Sequence, residues 1–450
     1  MNHLPTTTER TTLLEPTASQ DAPWVVVIGG GPAGSIAALQ LTRTLSALGE
    51  RRGAGDESSR RPRVLLVDRE DFPRGKVCGC CLNGAAIAAL DAAGLKNLPE
   101  ELAAVPLTHW EGQIAGLGKR PRVARVRLPS GWAVSRESLD AALLSRARAA
   151  GAVVRTGVVA RVRTATDEAV EVELKSSAGT ETVFAAAVVV ASGLSGGGLE
   201  PLLPWRQPPA GPVGLGTTLV ASEAEYVPGK IYMACDGTGY AGLVRLEDGR
   251  LDIAAAVYDP SGPGRRRGAG ERVAEILQAA GMPPVAGIET AAWRGTPRLH
   301  RQRQPGRGRI VAVGDAAGYV EPFTGEGMAW GMQTGLLAAR VIAEALARQS
   351  LARQSLARES LARESLSPEP AHATGRTPTP SRKSPRAAAE IGVRYTYQYN
   401  RLLSRRRTAC RLLTAALRPR WSRRMLFQSL AVAPWLAAPV VRMLNRPHSP

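Results

Sequence analysis

The 450-residue sequence predicts an α/β fold in which buried strands alternate with helices. Two stretches support this prediction, because each places a short apolar strand directly before a glycine-containing turn and a helical pattern: Val25 to Leu41 and Arg309 to Gly335. A third observation is the run Phe184 to Ala191, which is apolar without alternation, so we expect a strand that is buried along its whole length.

The first of these stretches contains a glycine fingerprint for a dinucleotide. Gly29 allows a tight turn after the strand, Gly31 lets a pyrophosphate approach the backbone, and Gly34 lets the helix pack closely on the strand. Pro32 and Ala33 begin the helix, whose N–H groups and dipole favour a phosphate at this end. The pattern predicts a Rossmann fold; the alternative is a glycine turn that binds no dinucleotide.

An acidic residue completes the fingerprint at the end of the second strand. Asp68 follows the apolar run Val64 to Val67 and is expected to hold a ribose hydroxyl, and we assign Arg69 to the same cofactor site. Asp68 comes later than the usual spacing of about 20 residues. The polar, Gly- and Arg-rich segment Glu50 to Pro62 explains the delay as an insertion that loops out.

Composition limits the remaining possibilities. The formal net charge is +19, but arginine far outnumbers lysine, which a GC-rich genome also produces, so nucleic-acid binding is a weak inference. The five cysteines do not resemble a disulfide framework, and Cys78-Gly79-Cys80-Cys81 lacks the spacing of a zinc site. We therefore expect reduced thiols, no metal and a cytoplasmic protein. Residues 1–22 have no apolar core and predict a disordered tail, not a signal peptide.

The segment after Asp68 reads DREDFPRGKVCGCCL. A dinucleotide fold followed by F-P-R-x-K-x-C-G resembles the geranylgeranyl reductase family of flavoproteins, which are relatives of the FAD-dependent aromatic hydroxylases. The resemblance implies that Cys78 lies near the isoalloxazine ring of FAD. The residues themselves leave two interpretations of Cys78 open: a reactive thiol beside Lys76 and Arg74, or a small packing residue like Cys80 and Cys81.

Two further positions acquire roles from the same resemblance. Ser135 is predicted to cap a helix that runs to Ala150, and an arginine at the position of Arg136 reaches FAD in the resembled family. The alternative is a solvated arginine in the first helical turn. Tyr240 is all that remains of the family pattern Y-x-W-x-F-P over the substrate pocket, and the halogenase motif G-W-x-W-x-I-P is absent.

The second strong stretch, Arg309 to Gly335, predicts the flavin end of the site. A buried strand ends at Gly314 and Asp315, and Asp315 is expected to accept hydrogen bonds from a ribityl chain. Gly325, Gly327 and Met328 then open a long helix. Their N–H groups would face the pyrimidine edge of the flavin and stabilise the negative charge on its reduced form.

The C-terminal third departs from this pattern. Residues 345–365 repeat a pentapeptide such as SLARE, whose leucines spiral around a helix because five residues advance it by about 500°. Ser367 to Arg386 predicts a disordered linker. The tail from Arg394 to Pro450 has many arginines and no acidic residue, and Met425 to Leu444 is apolar. We expect helices that cover the active site and contact an anionic membrane; the alternative is a basic, soluble cap.

These observations together predict an FAD-dependent oxidoreductase with a glutathione-reductase-like Rossmann FAD-binding domain interleaved with a β-rich substrate domain. The expected parts are a disordered tail (1–22), an FAD-binding domain (23–76, 131–206 and 294–345), a substrate domain (77–130 and 207–293), a repeat and linker (346–390) and a basic helical cap (391–446). With one fingerprint only, NAD(P)H would be a transient electron donor.

The predicted reaction is hydride transfer through flavin N5 to a C=C bond of a lipid-like or prenyl substrate, with Cys78 as the candidate catalytic residue. Its thiol is expected to be protonated at pH 7 if its pKa is near the ordinary value of about 8.5. The alternative is an FAD-dependent monooxygenase that hydroxylates or epoxidises an aromatic, polyketide or isoprenoid substrate. A third hypothesis, nucleic-acid binding by the arginine-rich tail, is disfavoured by the flavin motifs.

Overall fold

The computed structural model consists of two large sheets, a small third sheet and nine helices in the part of the chain that it describes. The described residues are 24–50, 63–114, 123–195, 199, 202–220, 224–258, 268–321, 323, 325–365 and 386–445. The predicted disordered tail, the insertion from residue 51 to 62 and the predicted linker as far as residue 385 lie outside these residues.

The strands have the following bounds: β1 Trp24–Ile28, β2 Arg63–Val67, β3 Cys81–Asn83, β4 Val105–Pro106, β5 His109–Ile114, β6 Ala124–Arg127, β7 Gly131–Ala133, β8 Val153–Arg155, β9 Val159–Ala165, β10 Val170–Ser176, β11 Gly179–Val190, β12 Trp205–Leu219, β13 Lys230–Cys235, β14 Gly239–Arg245, β15 Leu251–Val257, β16 Arg294–Arg303, β17 Gly306–Arg307, β18 Ile310–Ala312 and β19 Gly318–Tyr319. The helices are α1 Pro32–Glu50, α2 Gly84–Ala92, α3 Leu98–Glu101, α4 Arg136–Ala149, α5 Ala269–Ala280, α6 Gly327–Ser365, α7 Arg386–Leu417, α8 Arg420–Val432 and α9 Ala438–Asn445.

The first sheet contains both predicted cofactor strands. Its strand order is β17-β18-β11-β1-β2-β8, and the pairs from β18 to β8 are parallel. Val25, Val26 and Val27 in its centre have no exposed surface, which confirms the buried strand predicted from their sequence. The carboxyl ends of β1 and β18 therefore lie on one edge of this sheet, where α/β proteins bind their ligands.

One strand differs from its prediction. The run Phe184 to Ala191 was expected to be buried throughout, but Phe184 is 65% exposed. The reason is that β11 is longer than the predicted strand, and its first half forms an antiparallel hairpin with β10 beyond the parallel sheet. Full burial begins at Ala185, where β11 comes beside β1, and includes Ala187, Val188 and Val189.

Helices α1 and α6 cross at a very short distance over the first sheet. A Cβ atom on Gly335 would lie 2.4 Å from the carbonyl oxygen of Ala33, and one on Gly331 would lie 3.4 Å from the Ala33 Cβ atom. Gly314, which precedes α6, is equally close to Ala33. Small residues at these positions let the N-termini of both helices approach the same edge of the sheet.

The second sheet is mostly antiparallel and has the order β19-β16-β12-β15-β14-β13-β5-β6. Helix α5 covers one face of it through Val273, Ile276 and Leu277. The predicted meander from Gly214 to Val257 is confirmed by the antiparallel pairing of β12, β15, β14 and β13. We assigned the segment that begins at residue 294 to the FAD-binding domain. Its first strand, β16, pairs instead with β12 in this second sheet.

The last helices return to both sheets. Tyr395 on α7 donates a hydrogen bond of 2.8 Å to the carbonyl oxygen of Ala312 at the end of β18. Two ion pairs join α7 to the middle of α6: Arg348 with Glu390 and Arg394 with Glu344. The pentapeptide repeat, which begins at residue 345, continues α6 as a helix, and beyond these ion pairs its leucines at positions 351 and 356 are 57% and 66% exposed.

The C-terminal apolar segment forms α8, a 3₁₀ turn (Pro434–Ala437) and α9. No single helix among the described residues is long and apolar enough to cross a membrane. One pair, Arg420–Val432 with Pro434–Met443, reaches that length and composition only when its two helices are taken together, and they are bent by 117°.

We predict that Gly335→Ala destabilises the protein by about 1–3 kcal/mol, because the added methyl group would overlap the Ala33 carbonyl and force α1 and α6 apart. Denaturant unfolding of both proteins would measure this difference. Gly295→Ala is the matched control, since a Cβ atom there meets nothing within 4 Å. Equal unfolding midpoints for the two variants would contradict the close helix crossing.

Candidate functional site

A cavity of about 380 Å³ lies between the two sheets and the C-terminal helices. One part is lined by residues predicted to hold the cofactor: Gly31, Pro32, Ala33, Arg136, Gly314, Asp315, Gly325, Gly327 and Met328. Another part is apolar and is lined mainly by the second sheet and the cap, including Trp110, Ile231, Met233, Leu243, Phe427, Leu430 and Val440. The two predicted motifs therefore open into one space.

The glycine loop has the geometry that a pyrophosphate requires. Gly29 has a positive φ of 110°, and a Cβ atom there would lie 2.5 Å from the Ala191 carbonyl oxygen. A Cβ atom on Gly34 would lie 1.8 Å from the Gly29 oxygen. At Gly31, by contrast, the nearest atoms to such a Cβ are guanidinium nitrogens, 3.5 Å and 3.9 Å away. The loop thus leaves space for an anion at Gly31 alone of these three glycines.

Arg136 and Arg74 supply those guanidinium groups. Arg136 is buried and donates from Nε and Nη2 to Asp140, at 2.8 Å and 2.7 Å. Arg74 contacts the same Asp140 carboxylate at 3.5 Å and that of Asp68 at 3.4 Å. Two cations beside the open glycine, each oriented by a carboxylate, fit the diphosphate of FAD.

Asp68 lies at the edge of this arrangement. Its carboxylate accepts hydrogen bonds from the backbone of Gly30 at 2.6 Å and Glu70 at 2.9 Å, which holds it beside the glycine loop. Arg69 points away: it is 62% exposed, pairs with Glu70 and does not line the cavity. The assigned cofactor role of each residue stays a prediction.

Asp315 and Lys76 line the middle of the cavity. Burial raises the pKa of Asp315, and the nearby charges of Lys76, Arg136 and Arg301 lower it. The Lys76 side chain is accessible from the cavity but surrounded by protein, so burial lowers its pKa, and the charge of Arg136 lowers it further. The pair places one acceptor and one donor between the glycine loop and the start of α6, where a ribityl chain would lie.

The N-terminus of α6 begins at Gly327, next to the cavity. Gly325 before it has a positive φ of 65°, and Met328 is buried. Glu326 points into the protein, where the Cys410 thiol donates to it at 3.2 Å and Arg406 lies 3.5 Å away. This contact anchors α7 to the turn that is predicted to face the flavin.

Cys78 lies in the cavity wall in an environment that changes its chemistry. The pKa of Cys78 is lowered to about 6, mainly by a hydrogen bond from the Cys80 thiol. Burial acts in the opposite direction, and the positive charge of Arg136 lowers the pKa by a smaller amount. The pKa therefore differs from the ordinary value of about 8.5 that was the condition for a protonated thiol, and it agrees with the interpretation of Cys78 as a reactive thiol. By contrast, burial raises the pKa of Cys81 and the bond to Cys78 raises that of Cys80.

Sequence reasoning missed several residues of the site. Arg74 was noted only as a neighbour of Cys78, although its place in F-P-R was the available signal. Glu326 contacts Arg406 and Cys410, which lie 80 and 84 residues further along the chain, and nothing in the sequence pattern indicates that contact. Tyr240 is buried in the cavity wall and meets Phe323 edge to face at 5.2 Å.

Comparison with known proteins gives relatives at moderate similarity. No model of a known protein family matches the chain. Menaquinone reductase of Mycobacterium tuberculosis is 27% identical over 343 residues, which cover 72% of this chain and 77% of that protein. The menaquinone reductase of Mycolicibacterium smegmatis is 26% identical over 344 residues, covering 71% and 76%.

Solved structures resemble almost the whole chain. The flavin-dependent brominase Bmp2 has a TM-score of 0.65 at 15% identity, over 94% of this chain and 92% of that one. The p-nitrophenol 4-monooxygenase PnpA of Pseudomonas putida has a TM-score of 0.62 at 17% identity, over 95% and 99%. These likenesses confirm the predicted fold class.

The cofactor and enzyme class predicted from the two motifs are also confirmed. The chain has the fold of flavin-dependent enzymes, and its glycine loop, its paired arginines and Asp315 converge on one cavity. It is an FAD-dependent oxidoreductase. The geranylgeranyl reductase subtype stays a resemblance, and NAD(P)H as electron donor stays a prediction.

We predict that Gly31→Val yields a folded protein with little bound FAD, because the isopropyl group would fill the space between the loop and the two guanidinium groups. The ratio of flavin to protein absorbance after purification measures this loss. Gly295→Val is the control, since its position is open and distant from the glycine loop in sequence and sheet. Full flavin content in Gly31→Val would contradict the assignment of the loop.

Proposed function

We propose that this enzyme reduces a C=C bond in the isoprenoid part of a lipid-like substrate, such as a prenylated quinone. The single observation that carries the proposal is the cavity, in which the cofactor residues and a large apolar surface face the same space. An apolar chain is held there by burial of its surface, which contributes about 25 cal/mol per Å². A small polar substrate would leave most of this wall uncovered.

The named relatives support the same substrate class. The two mycobacterial proteins that match most of the chain are called menaquinone reductases. We carry over from them the direction of the reaction, which is reduction, and a substrate with a quinone head and an apolar tail. The halogenases and monooxygenases among the structural neighbours share the fold at identities of 22% or less, so they contribute no substrate.

The residues of the chain have separable tasks in this reaction. FAD supplies a hydride when it is bound and reduced. Arg136 and Arg74 hold its diphosphate, Asp315 orients the chain that follows, and the N-terminus of α6 offers a positive dipole to the negative charge that the reduced cofactor carries. The apolar wall excludes water and holds the substrate double bond in position.

Cys78 provides the proton that a C=C reduction also requires. Cys78 and Cys80 both line the cavity, and the Cys80 thiol is within hydrogen-bonding reach of Cys78. Cys78 donates its proton to the substrate carbon and recovers one from water, while Cys80, whose pKa is raised, keeps its proton and hydrogen-bonds to the Cys78 thiolate. Because the pKa of Cys78 is about 6, this donor is protonated in acid and loses its proton as the pH rises through that value.

The cap gives such a substrate a route from a membrane. Its inner side contributes Phe427 and Leu430 to the cavity. Its outer side carries large apolar residues in water, and Trp421, Met425, Val432 and Trp435 are each more than 60% exposed. Exposed tryptophans on short amphipathic helices are typical of surfaces that lie in the membrane interface. We therefore propose that this side of the cap binds an anionic bilayer.

The charge that supports membrane binding is smaller than the tail composition indicated. Arg406, Arg407 and Arg423 are buried and bind groups of this chain, so they are not available to lipid. Arg418, Arg420 and other exposed arginines remain at the surface of the cap. Each basic residue near an anionic membrane contributes about 1 kcal/mol.

We predict that the FAD-loaded enzyme, reduced chemically and kept free of oxygen, converts a polyprenyl quinone to a product heavier by two hydrogens. The rate should decline as the pH rises, with a midpoint near pH 6, where Cys78 loses its proton. Cys80→Ala removes the main cause of the lowered pKa, so its midpoint should move upward. Mass spectrometry of the product and a pH profile of the rate measure both effects.

The same experiment distinguishes the monooxygenase alternative. If the product forms only with oxygen and is heavier by one oxygen atom, the enzyme is a monooxygenase and the proposed reduction is wrong. Cys78→Ala should lose most of the reductase activity while retaining FAD, because the thiol is not part of the glycine loop. Unchanged turnover in Cys78→Ala would assign the proton to another group.

We also predict that the double variant Trp421→Ser, Trp435→Ser sediments less with anionic liposomes than the unchanged protein. Both side chains are about 70% exposed, so their loss removes apolar membrane contact without a large effect on the core. The matched control is Leu351→Ser, Leu356→Ser, which removes two exposed apolar residues of the repeat. Equal sedimentation of all three proteins would exclude the cap as the membrane-binding surface.

A further inference from the structure

We propose that a second, polar compartment behind Tyr240 binds the head group of the lipid substrate, with Tyr240 and Arg423 as donors to a neutral carbonyl oxygen. This inference rests on the proposed function, since it assumes a substrate whose apolar chain occupies the main cavity. It adds the binding site for the other end of that substrate. A head group fixed there would determine which double bond of the chain reaches the cofactor residues.

The compartment has a volume of about 250 Å³ and is formed by three parts of the chain. The second sheet contributes Cys235 to Tyr240, the turn before α6 contributes Glu321, and the cap contributes Thr414, Leu417, Arg418 and Arg423. Tyr240 lines this compartment and the main cavity as well. The Tyr240 side chain therefore adjoins both spaces, and the proposal places the head of the ligand in one and its chain in the other.

Two buried donors in this wall lack a partner within the described residues. Tyr240 is 6% exposed and Arg423 5%, yet the Tyr240 hydroxyl and the Arg423 Nε atom make no hydrogen bond there. A buried donor without a partner is costly, and a ligand oxygen would satisfy both. Burial, followed by the charge of Glu321, raises the pKa of Tyr240, so its hydroxyl keeps its proton at neutral pH.

Arg423 lines this space and is held there by the backbone of the cap. Its Nη1 atom donates to the carbonyl oxygens of Leu417 at 3.0 Å and Arg418 at 3.2 Å, where α7 ends. These bonds use Nη1 and leave the buried Nε atom without a partner among the described residues, in a side chain that lines the compartment. The arginine thus closes the end of a helix and offers a donor to the ligand.

The acceptor groups of the compartment are already occupied. Glu321 accepts a hydrogen bond of 2.5 Å from the Tyr258 hydroxyl and lies 3.0 Å from Nε2 of His300. Asp236 accepts from the backbone N–H groups of Thr238 and Gly239, at 2.6 Å and 2.9 Å. The free capacity therefore consists of donors, which select a ligand that accepts hydrogen bonds.

The balance of charge favours a neutral acceptor over a phosphate. Arg418 and Arg423 bring two positive charges to the wall, and Glu321 and Asp236 bring two carboxylates. Arg418 is also partly engaged, because its guanidinium carbon lies 5.2 Å from the centre of the Tyr258 ring. A compartment with balanced charge and spare N–H and O–H donors fits the carbonyl of a quinone ring.

The test uses the full-length, oxidised, FAD-loaded protein and menadione, a naphthoquinone without an isoprenoid chain. Calorimetric titration should detect binding, and Tyr240→Phe should weaken it by about 2- to 10-fold, the effect of one hydrogen bond to a neutral group. Arg423→Lys, which keeps the charge and removes Nε, should weaken it comparably. Inorganic phosphate should not compete.

The matched control is Tyr226→Phe, which removes a buried tyrosine hydroxyl from the face of the second sheet covered by α5. Menadione affinity should be unchanged in this variant. Tyr240→Phe removes a hydroxyl without a partner, so its thermal midpoint should stay near that of the unchanged protein. An affinity loss with an unchanged midpoint assigns the effect to the ligand contact.

Two results would overturn the inference. Menadione affinity that is equal in Tyr240→Phe, Arg423→Lys and the unchanged protein would show that the compartment holds water only. Phosphate that displaces menadione through Arg423 would identify an anion site. If C=C reduction is observed and either result is obtained, the proposed function stands and this head-group site falls. If menadione binds through both donors but no C=C reduction is observed, the head-group site stands and the proposed function falls.

Discussion

The structure depends on the close contact between the backbones of α1 and α6. Each helix begins at a predicted cofactor motif, and the contact at Ala33 and Gly335 brings the two beginnings to the same edge of the first sheet. Only glycine at position 335 allows this distance, because a Cβ atom there would lie 2.4 Å from the Ala33 carbonyl oxygen. The diphosphate arginines, Asp315 and the N-terminus of α6 face one cavity because this crossing fixes the two motifs relative to each other.

Local pattern was sufficient to predict much of this arrangement. The fingerprint glycines, the buried core of β1 and the Ser135 cap of α4 each depend on residues within a few positions of one another, and the structure has all three. The exposed Phe184 shows the limit of the method: an apolar run predicts burial, but this residue lies in the part of the strand that forms a hairpin with β10. Burial of a strand depends on what covers it.

The chemistry of the site was less accessible from the sequence. The acidity of Cys78 results from the Cys80 thiol and from Arg136, and the sequence alone does not indicate that the Arg136 side chain, which lies almost 60 residues away, turns toward it. The tail arginines are a similar case, since three of them make contacts inside the protein that their sequence does not indicate. Net charge reports how many basic residues exist, whereas their partners decide whether they can bind a membrane.

The ion pairs between α6 and α7 divide the long helix α6 into two parts with different freedom. Glu344 and Arg348 bind α7 at the start of the repeat, so the return of the chain to the core is fixed upstream of the exposed leucines Leu351 and Leu356. Each added pentapeptide lengthens a helix by about 7.5 Å, and here the addition extends into solvent. Gene variants that gain or lose repeat units would therefore differ in outline while sharing one active site.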